Sequence, residues 1–307
     1  MQLLGSTDDT RFFGNGHEIL DLREAHDFTL PRSSRSGKAL ALPIRYWTNT
    51  PFIRYAIAMA IEILSASDIE KMRLAGRSAA RTLQHIAAKV VPGVSTAQID
   101  EWVREHTKIE GGTPAQLGYH GFPGSVCTSR NDVVCHGIPD KKTVLADGDI
   151  VNVDVTTNLG GFHGDCSMTI LVGNPSLDAR RLTEIAKACR DAGIAVVREG
   201  ARLGDIGAAV EELAKKHGCS VVRDFGGHGI GRKMHLDPHV PHVGQKGSGL
   251  RLRAGMAITV EPMVNLGRAE VRILDDGWTV VTADGSLSAQ FEHTILVTKD
   301  GHEILTV

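Results

Sequence analysis

Two short runs of the chain alternate apolar and polar residues in the way that β-strands do. Residues 151–155 read Val-Asn-Val-Asp-Val, and residues 258–262 read Ile-Thr-Val-Glu-Pro. Successive side chains of a strand point to opposite faces, so Asp154 and Glu261 face away from their valine neighbours. Because an unpaired buried carboxylate costs several kcal/mol, each acid on these core strands needs a partner.

Helical periodicity precedes each of these strands. Apolar residues at three- and four-residue steps predict helices over approximately residues 67–91, 95–106, 178–198 and 205–216. The first helix is predicted to open with the Ser67–Glu70 capping box, and the second with a cap at Ser95. The run IEIL, residues 61–64, predicts a short strand before the first helix.

The two halves of this pattern repeat each other at a constant offset of 107 residues. The matched pairs are Gly93 with Gly200, Ile99 with Ile206, Val103 with Val210, Gly148 with Gly255 and Asp154 with Glu261. A repeat that stays in register from helix to strand indicates a duplicated half-domain. If the halves pack about a pseudo-twofold axis, Asp154 and Glu261 converge at its centre.

The composition of the chain argues against several classes of protein. The 307 residues are 42% hydrophobic and carry a formal net charge of −2, which gives no electrostatic argument for binding nucleic acid or a membrane surface. Five cysteines without CxxC spacing argue against a disulfide framework and favour a reducing cytoplasm. No apolar run reaches the roughly 18 residues of a membrane span, and the first residues lack the pattern of a secretory signal.

Further acids and a histidine surround the two strands. GFHGD returns Asp165 on a hairpin strand, where it is expected to lie opposite Asp154, and like charges so placed favour a cation between them. GGHGIGR contributes His228, and AQFEHTILV contributes Glu292. With Glu261, the set holds four carboxylates and one imidazole, which suits two divalent ions and predicts a hydrolytic centre.

Six ordered motifs carry a family resemblance. They are VCHGIPD (134–140), DIVNVDV (149–155), GFHGD (161–165), GGHGIGR (226–232), ITVEPMV (258–264) and SAQFEHTI (288–295). Together they resemble type I methionine aminopeptidases from about Met59 to the C-terminus. The resemblance implies an α+β pita-bread fold, with two pseudo-twofold-related α/β halves around a mainly antiparallel curved sheet. It also implies removal of the initiator methionine from nascent polypeptides whose second residue is small.

The resemblance further assigns roles at a centre of two divalent ions (Co, Mn, Fe or Zn) that share the attacking water. Asp154 is expected to chelate one ion, Asp165 and Glu292 to bridge both, and His228 and Glu261 to complete the second. The residues expected to act on the substrate are His136, which contacts it near the scissile amide, His235, which polarises the carbonyl, and Glu261, which shuttles the proton.

A methionine pocket is implied by the same resemblance. Its walls are expected to be Tyr119, Phe122, Cys127 and Trp278, since an apolar, aromatic slot suits a thioether. Two departures from the family pattern lie beside the site: Met234 stands where an aromatic is common, and Leu236-Asp237 replaces two glutamates. Both put substrate affinity in question rather than the metal chemistry.

Three other readings of the chain compete with this one. An X–Pro peptidase of the same fold would carry a large N-terminal domain, a type II enzyme would carry a helical insertion, and a non-enzymatic binding protein would lack metal ligands. Residues 1–58 are read as a poorly structured extension, an upstream start artefact or a ribosome-docking segment, and 59–307 as the catalytic domain. A cytoplasmic monomer acting on nascent polypeptide N-termini is expected.

Overall fold

The computed structural model describes residues 61–307, and the predicted extension 1–58 lies outside the described residues. Four α-helices and one short 3-10 helix occupy this range. They are α1 Ala66–Ala87, α2 Thr96–Ile109, α3 Leu177–Ala195, α4 Leu203–Lys216 and the 3-10 helix Tyr119–Gly121. No helix of residues 61–307 is both long and apolar enough to cross a membrane.

The start of α1 differs from the sequence prediction. Ser65, not Ser67, caps the helix: its hydroxyl accepts the Asp68 N–H at 3.2 Å and donates to the Asp68 carboxylate. That cap begins the helix at Ala66, and the strand predicted over residues 61–64 is wrong because this segment has no regular structure. The segment is irregular and is held by a hydrogen bond from the Leu64 N–H to the Gly255 carbonyl. The predicted cap of α2 is confirmed, because Ser95 accepts the Gln98 N–H.

Fifteen short strands follow or interleave with the helices. They are β1 Thr113–Pro114, β2 Cys127–Arg130, β3 Val133–Cys135, β4 Ile150–Leu159, β5 Phe162–Leu171, β6 Ser220–Val221, β7 Gly227–Gly229, β8 Leu236–Val240, β9 Ala257–Val260, β10 Met263–Asn265, β11 Val271–Ile273, β12 Val280–Thr282, β13 Ser288–Gln290, β14 His293–Val297 and β15 His302–Ile304. Within residues 61–307, all strand pairs are antiparallel. The two sheets that matter for the site are β1-β4-β2, with β5 beside β4, and β15-β14-β9-β7-β8.

The internal repeat appears directly in the element bounds. Moving α2 along the chain by the offset of 107 residues gives the bounds of α4, and moving the start of β4 gives the start of β9. Each half also builds a similar core. In the first, α1 and α2 bury apolar residues against β4. In the second, α3 and α4 bury theirs against β9 and β14.

Close approach of α1 to β5 explains one glycine of the GFHGD motif. A Cβ on Gly164 would come within 2.5 Å of the backbone of Ala75 and Gly76, so another side chain there would push the helix off the strand. The contact brings the α1 backbone directly against the strand residue that precedes Asp165. The packing of α1 on β5 therefore fixes the position of Asp165, a predicted ligand.

Candidate metal centre

The β4–β5 hairpin positions the first two acids of the centre. Its two-residue loop is Gly160-Gly161, and both glycines have positive φ (62° and 81°), as a tight type I′ hairpin turn requires. This turn sets Thr156 opposite Asp165, and sets Asp154 opposite Ser167. The expectation that the two acids face each other directly is therefore wrong. They are diagonal neighbours on one face of the ladder, close enough to interact.

Glu261 follows directly after β9 and is held at both its backbone and its carboxylate. Its N–H donates to Nε2 of His242 at 3.0 Å, and Thr259 Oγ1 donates to its Oε1 at 2.7 Å. Gln290 Nε2 lies 3.2 Å from both the Glu261 carbonyl oxygen and Oε2. These bonds come from three different elements, so the orientation of Glu261 is fixed by the fold rather than by its own rotamer.

His228 lies on β7 between two glycines that allow close backbone approach. A Cβ on Gly227 would lie 2.3 Å from the Thr259 carbonyl oxygen of β9, and a Cβ on Gly229 would lie 2.2 Å from the Asp237 carbonyl oxygen of β8. The His228 N–H donates to Thr259 Oγ1, the hydroxyl that also holds Glu261. Its Nε2 points at the acids, 3.6 Å from Glu261 Oε1 and 3.8 Å from Asp165 Oδ2.

Glu292, just before β14, completes the cluster. The neighbouring Thr294 clamps Asp165, because its Oγ1 accepts the Asp165 N–H at 3.0 Å and donates to the Asp165 carbonyl at 2.8 Å. One donor atom from each of Asp165, His228 and Glu292 lies within 4.8 Å of the others, and all three residues are buried. The elements of both halves thus bring the five predicted ligands to one place.

Burial and mutual repulsion work against ionisation of these acids. Burial is the first cause that raises the pKa of Asp165 to about 7 and that of Glu261 to about 8, although hydrogen bonds from Thr156 and Thr259 oppose the shift. Burial, together with the charges of neighbouring carboxylates, raises the pKa values of Asp154 and Glu292 well above their ordinary range. Burial also lowers the pKa of His228 to about 4, so its imidazole is neutral.

The residues present fit a bound cation. Asp154 Oδ1 and Glu292 Oε1 are buried without a hydrogen-bond partner among the described residues. Such atoms are costly to leave unpaired, and a divalent ion would satisfy them while removing the repulsion between the acids. Four carboxylates with one neutral imidazole form an oxygen-rich donor set that suits Mn, Fe or Co better than a thiolate-type zinc site.

Of the two predicted substrate histidines, His235 contacts this cluster, and His136 packs among aromatic residues. The His235 ring meets the His228 ring edge-on, with centroids 4.2 Å apart. His136 has a positive φ of 55°, and its ring packs edge-on against Phe225 and Trp278. Burial lowers the pKa of His136 to about 4, which keeps it neutral as a hydrogen-bonding group.

Two of the four predicted pocket residues form an aromatic group with His136, and a third lies opposite a predicted ligand. Phe122 packs edge-on against Trp278 at 5.2 Å, and Trp278 also contacts His136. Cys127 is the cross-strand neighbour of Asp154 and is buried. Burial and the charge of Asp154 raise the pKa of the Cys127 thiol well above its ordinary value, so it lines the site as a neutral group.

The fourth predicted pocket residue, Tyr119, does more than line a wall. Its hydroxyl oxygen lies 2.7 Å from Nδ1 of His235, and the two rings are 5.1 Å apart. Tyr119 stands on the 3-10 helix, after Gly118 with φ of 78°. The pocket loop and the segment after β7 are thereby joined at a histidine expected to act on the substrate.

Sequence reasoning missed four residues that shape the site. Gln116 donates to the Asp154 carbonyl at 2.8 Å and accepts the Thr156 N–H, so its amide extends the ladder beside β4. The others are Phe225, His242 and Gln290. Gln290 stands inside the quoted motif SAQFEHTI, which was the available signal. Gln116 and His242 lie in segments without periodicity, so only the folded chain reveals them.

The chain matches metallopeptidase family M24 over residues 70–299. It is 53% identical over 247 residues to methionine aminopeptidase A of Synechocystis sp., an alignment that covers 80% of this chain and 98% of that protein. It is 50% identical over 250 residues to the methionine aminopeptidase of Escherichia coli strain K12, covering 81% and 95% of the two chains.

Solved structures agree with the sequence matches. The methionine aminopeptidase of Rickettsia prowazekii superposes with a TM-score of 0.79 at 50% identity, covering 80% of this chain and 100% of that one. The prolidase of Pyrococcus furiosus superposes with a TM-score of 0.64 at 20% identity, covering 80% and 65%, which shows a shared fold alone. The predicted pita-bread fold is confirmed by these likenesses.

Proposed function

Because the chain belongs to metallopeptidase family M24, and within it to the methionine aminopeptidases, we propose that it removes the initiator methionine from polypeptides with a small second residue. The observation that carries the proposal is the convergence of five potential ligands beside an aromatic slot. Two of these ligands present buried carboxylate oxygens that no described residue satisfies. A structural cluster of acids without a cation would not leave them so.

The ligand roles are those that the resemblance to methionine aminopeptidases implies. Asp154, Asp165 and Glu292 would hold one divalent ion, and Asp165, Glu292, His228 and Glu261 would hold the other. When bound, two divalent ions lower the pKa of a water molecule and polarise the scissile carbonyl. Glu261 would carry a proton between the attacking water and the leaving amine, and its hydrogen bonds with Thr259, His242 and Gln290 hold the residue in place for this role.

The histidines and the slot bind and orient the substrate. His235, next to His228, donates to the carbonyl oxygen, and neutral His136 contacts the scissile amide. The methionine side chain enters the slot formed by Phe122, Cys127 and Trp278, which offers apolar and aromatic surface to its thioether.

The cellular setting follows from the substrate. Nascent polypeptide N-termini arise in the cytoplasm, and the five free, buried cysteines suit a reducing compartment. We place the protein there as a monomer that acts close to the ribosome. A sucrose-gradient comparison of free and ribosome-associated protein tests the last point.

Hydrolysis of Met-Ala-Ser, before and after chelation and re-addition of Mn, Fe or Co, tests the function. Release of methionine should stop on chelation and return with about two equivalents of metal. Leu-Ala-Ser and Met-Arg-Ser should be poor substrates, since the slot fits an unbranched side chain and the centre is crowded. Cleavage of Ala-Pro dipeptides with little release of methionine would instead identify an X–Pro peptidase.

A further inference from the structure

The Tyr119 hydroxyl makes a contact that a pocket wall does not need. Its oxygen lies 2.7 Å from His235 Nδ1, a short distance for a hydrogen bond between a phenol and an imidazole. Tyr119 is half-buried, and the edge of the His120 ring packs against it at 4.4 Å, on the helix that carries both residues. The phenol is thus fixed in a position from which its oxygen reaches His235.

The direction of this hydrogen bond follows from the groups themselves. Burial raises the pKa of Tyr119, so the phenol keeps its proton at neutral pH. Among residues 61–307, His235 is the hydrogen-bond partner of that hydroxyl. If Nδ1 carried the imidazole proton, the phenol proton would point away without a protein acceptor. Donation by the phenol to an unprotonated Nδ1 satisfies both groups.

We propose that Tyr119 is a positioning residue that donates to His235 Nδ1 and thereby holds the imidazole proton on Nε2. In a neutral histidine, the hydrogen bond made by one ring nitrogen decides which tautomer is present. The Nε2–H tautomer can donate to a carbonyl oxygen, whereas the Nδ1–H tautomer presents an acceptor to the same oxygen. The phenol therefore acts on the reaction through His235, while its ring still lines the slot. The inference rests on the proposed function, which gives His235 its contact with the substrate carbonyl.

The location of His235 beside His228 supports the same role for Tyr119. The His235 ring lies edge-on to His228, a predicted ligand, with the ring centroids 4.2 Å apart, so His235 borders the centre. A ring that is hydrogen-bonded at Nδ1 and packed against His228 has little freedom to rotate. Orientation of this kind lowers the barrier to reaction without changing how tightly the substrate binds.

Tyr119→Phe separates this role from that of a pocket wall, because it removes only the hydroxyl. In the metal-loaded full chain acting on Met-Ala-Ser, kcat should fall about tenfold or more, with KM within about twofold. Bound metal and thermal stability should match the unsubstituted protein. Phe122→Leu is the matched control: it trims the slot without touching His235, so it should raise KM more than it lowers kcat.

A double-mutant cycle then tests whether the hydroxyl acts through His235. In a His235→Ala background, Tyr119→Phe should cause no further loss, whereas Phe122→Leu should keep its full effect. An unchanged kcat in Tyr119→Phe, or an equal loss in both backgrounds, would overturn the proposal.

Nitrogen-15 NMR of the His235 imidazole gives a readout that does not depend on turnover. The protein should show the Nε2–H tautomer, and Tyr119→Phe should shift the population toward Nδ1–H. A protein that shows this shift but releases no methionine would contradict the proposed function and leave the positioning intact. If the tautomer stays the same in Tyr119→Phe, the positioning is contradicted whatever the protein cleaves.

Discussion

His242 is expected to govern metal binding although it lies outside the set of predicted ligands. Its ring is 1% exposed, Nε2 accepts the Glu261 N–H at 3.0 Å, and Nδ1 is buried without a partner among the described residues. Burial lowers the pKa of His242 to about 3, so the ring is neutral and Nε2 stays available as an acceptor. The informative substitutions are His242→Gln and His242→Leu.

Both variants remove the unpartnered Nδ1, so the difference between them isolates the acceptor. The Gln side-chain oxygen can take the place of Nε2, whereas Leu leaves the N–H of buried Glu261 without a partner. An unsatisfied buried donor costs about 1–3 kcal/mol, and we expect the Leu variant to be less stable than the Gln variant by that amount. Loss of a partner that orients a ligand typically lowers metal affinity about 10- to 100-fold.

Calorimetric titration of the chelated variants with Mn measures the difference in metal affinity. Urea unfolding of each chelated protein measures the difference in stability. The Gln variant should bind Mn within a few fold of the parent, and the Leu variant should bind 10- to 100-fold more weakly. Equal affinities for the two variants would show that His242 contributes by filling space, and the reasoning about the Glu261 N–H would be refuted.

Four other outcomes are expected. Asp154→Asn and Glu261→Gln should each abolish hydrolysis and lower metal content, and either variant with near-normal metal and turnover would contradict its ligand role. His136→Ala and His235→Ala should keep the metal but lose a factor of roughly 10² or more in rate, and loss of metal from either would make it a ligand. The chelated protein should lose stability as pH rises from about 4.5 to about 8, because burial raises the pKa of Glu261 from 4.5 to about 8, so this carboxyl stays protonated in the fold while it ionises in the unfolded chain; a melting temperature of the chelated protein that does not fall over this range would refute this. The truncated chain 59–307 should fold and cleave as the full chain does, and aggregation or lost activity would show that the extension supports the catalytic domain.

Local pattern in the sequence predicted the ligand strands and the duplication, and the family resemblance supplied the pita-bread fold. Alternation placed Asp154 and Glu261 opposite buried valines, and a constant offset revealed the duplication. The register of β4 against β5 was harder to predict, since it depends on which residues form the turn between them. A four-residue turn over 158–161 would have brought Asp154 and Asp165 face to face, but two consecutive glycines with positive φ shorten the loop and shift the pairing.

Contacts between distant segments could not be predicted in the same way. His242 precedes Glu261 by 19 residues in a stretch without periodicity, and its role depends on the fold bringing Nε2 to one N–H. The Tyr119 contact joins residues 116 positions apart. Neither leaves a trace in spacing or composition, because a single hydrogen bond between two loops imposes no repeat on the chain.

The centre is asymmetric although the two halves that build it are duplicated. Each half supplies carboxylates from two neighbouring antiparallel strands: Asp154 and Asp165 from β4 and β5, and Glu261 and Glu292 from the ends of β9 and β14. The imidazole comes from one half only. GGHGI, residues 226–230, has a counterpart in GYHGF, residues 118–122, yet the histidine of the second copy is buried against the acids while that of the first is exposed. In the first copy the tyrosine, not the histidine, reaches inward, toward His235. Two similar short segments, 108 residues apart, therefore contribute a predicted metal ligand in one half and a contact to His235 in the other, a division that side-chain burial reveals and the repeat alone does not.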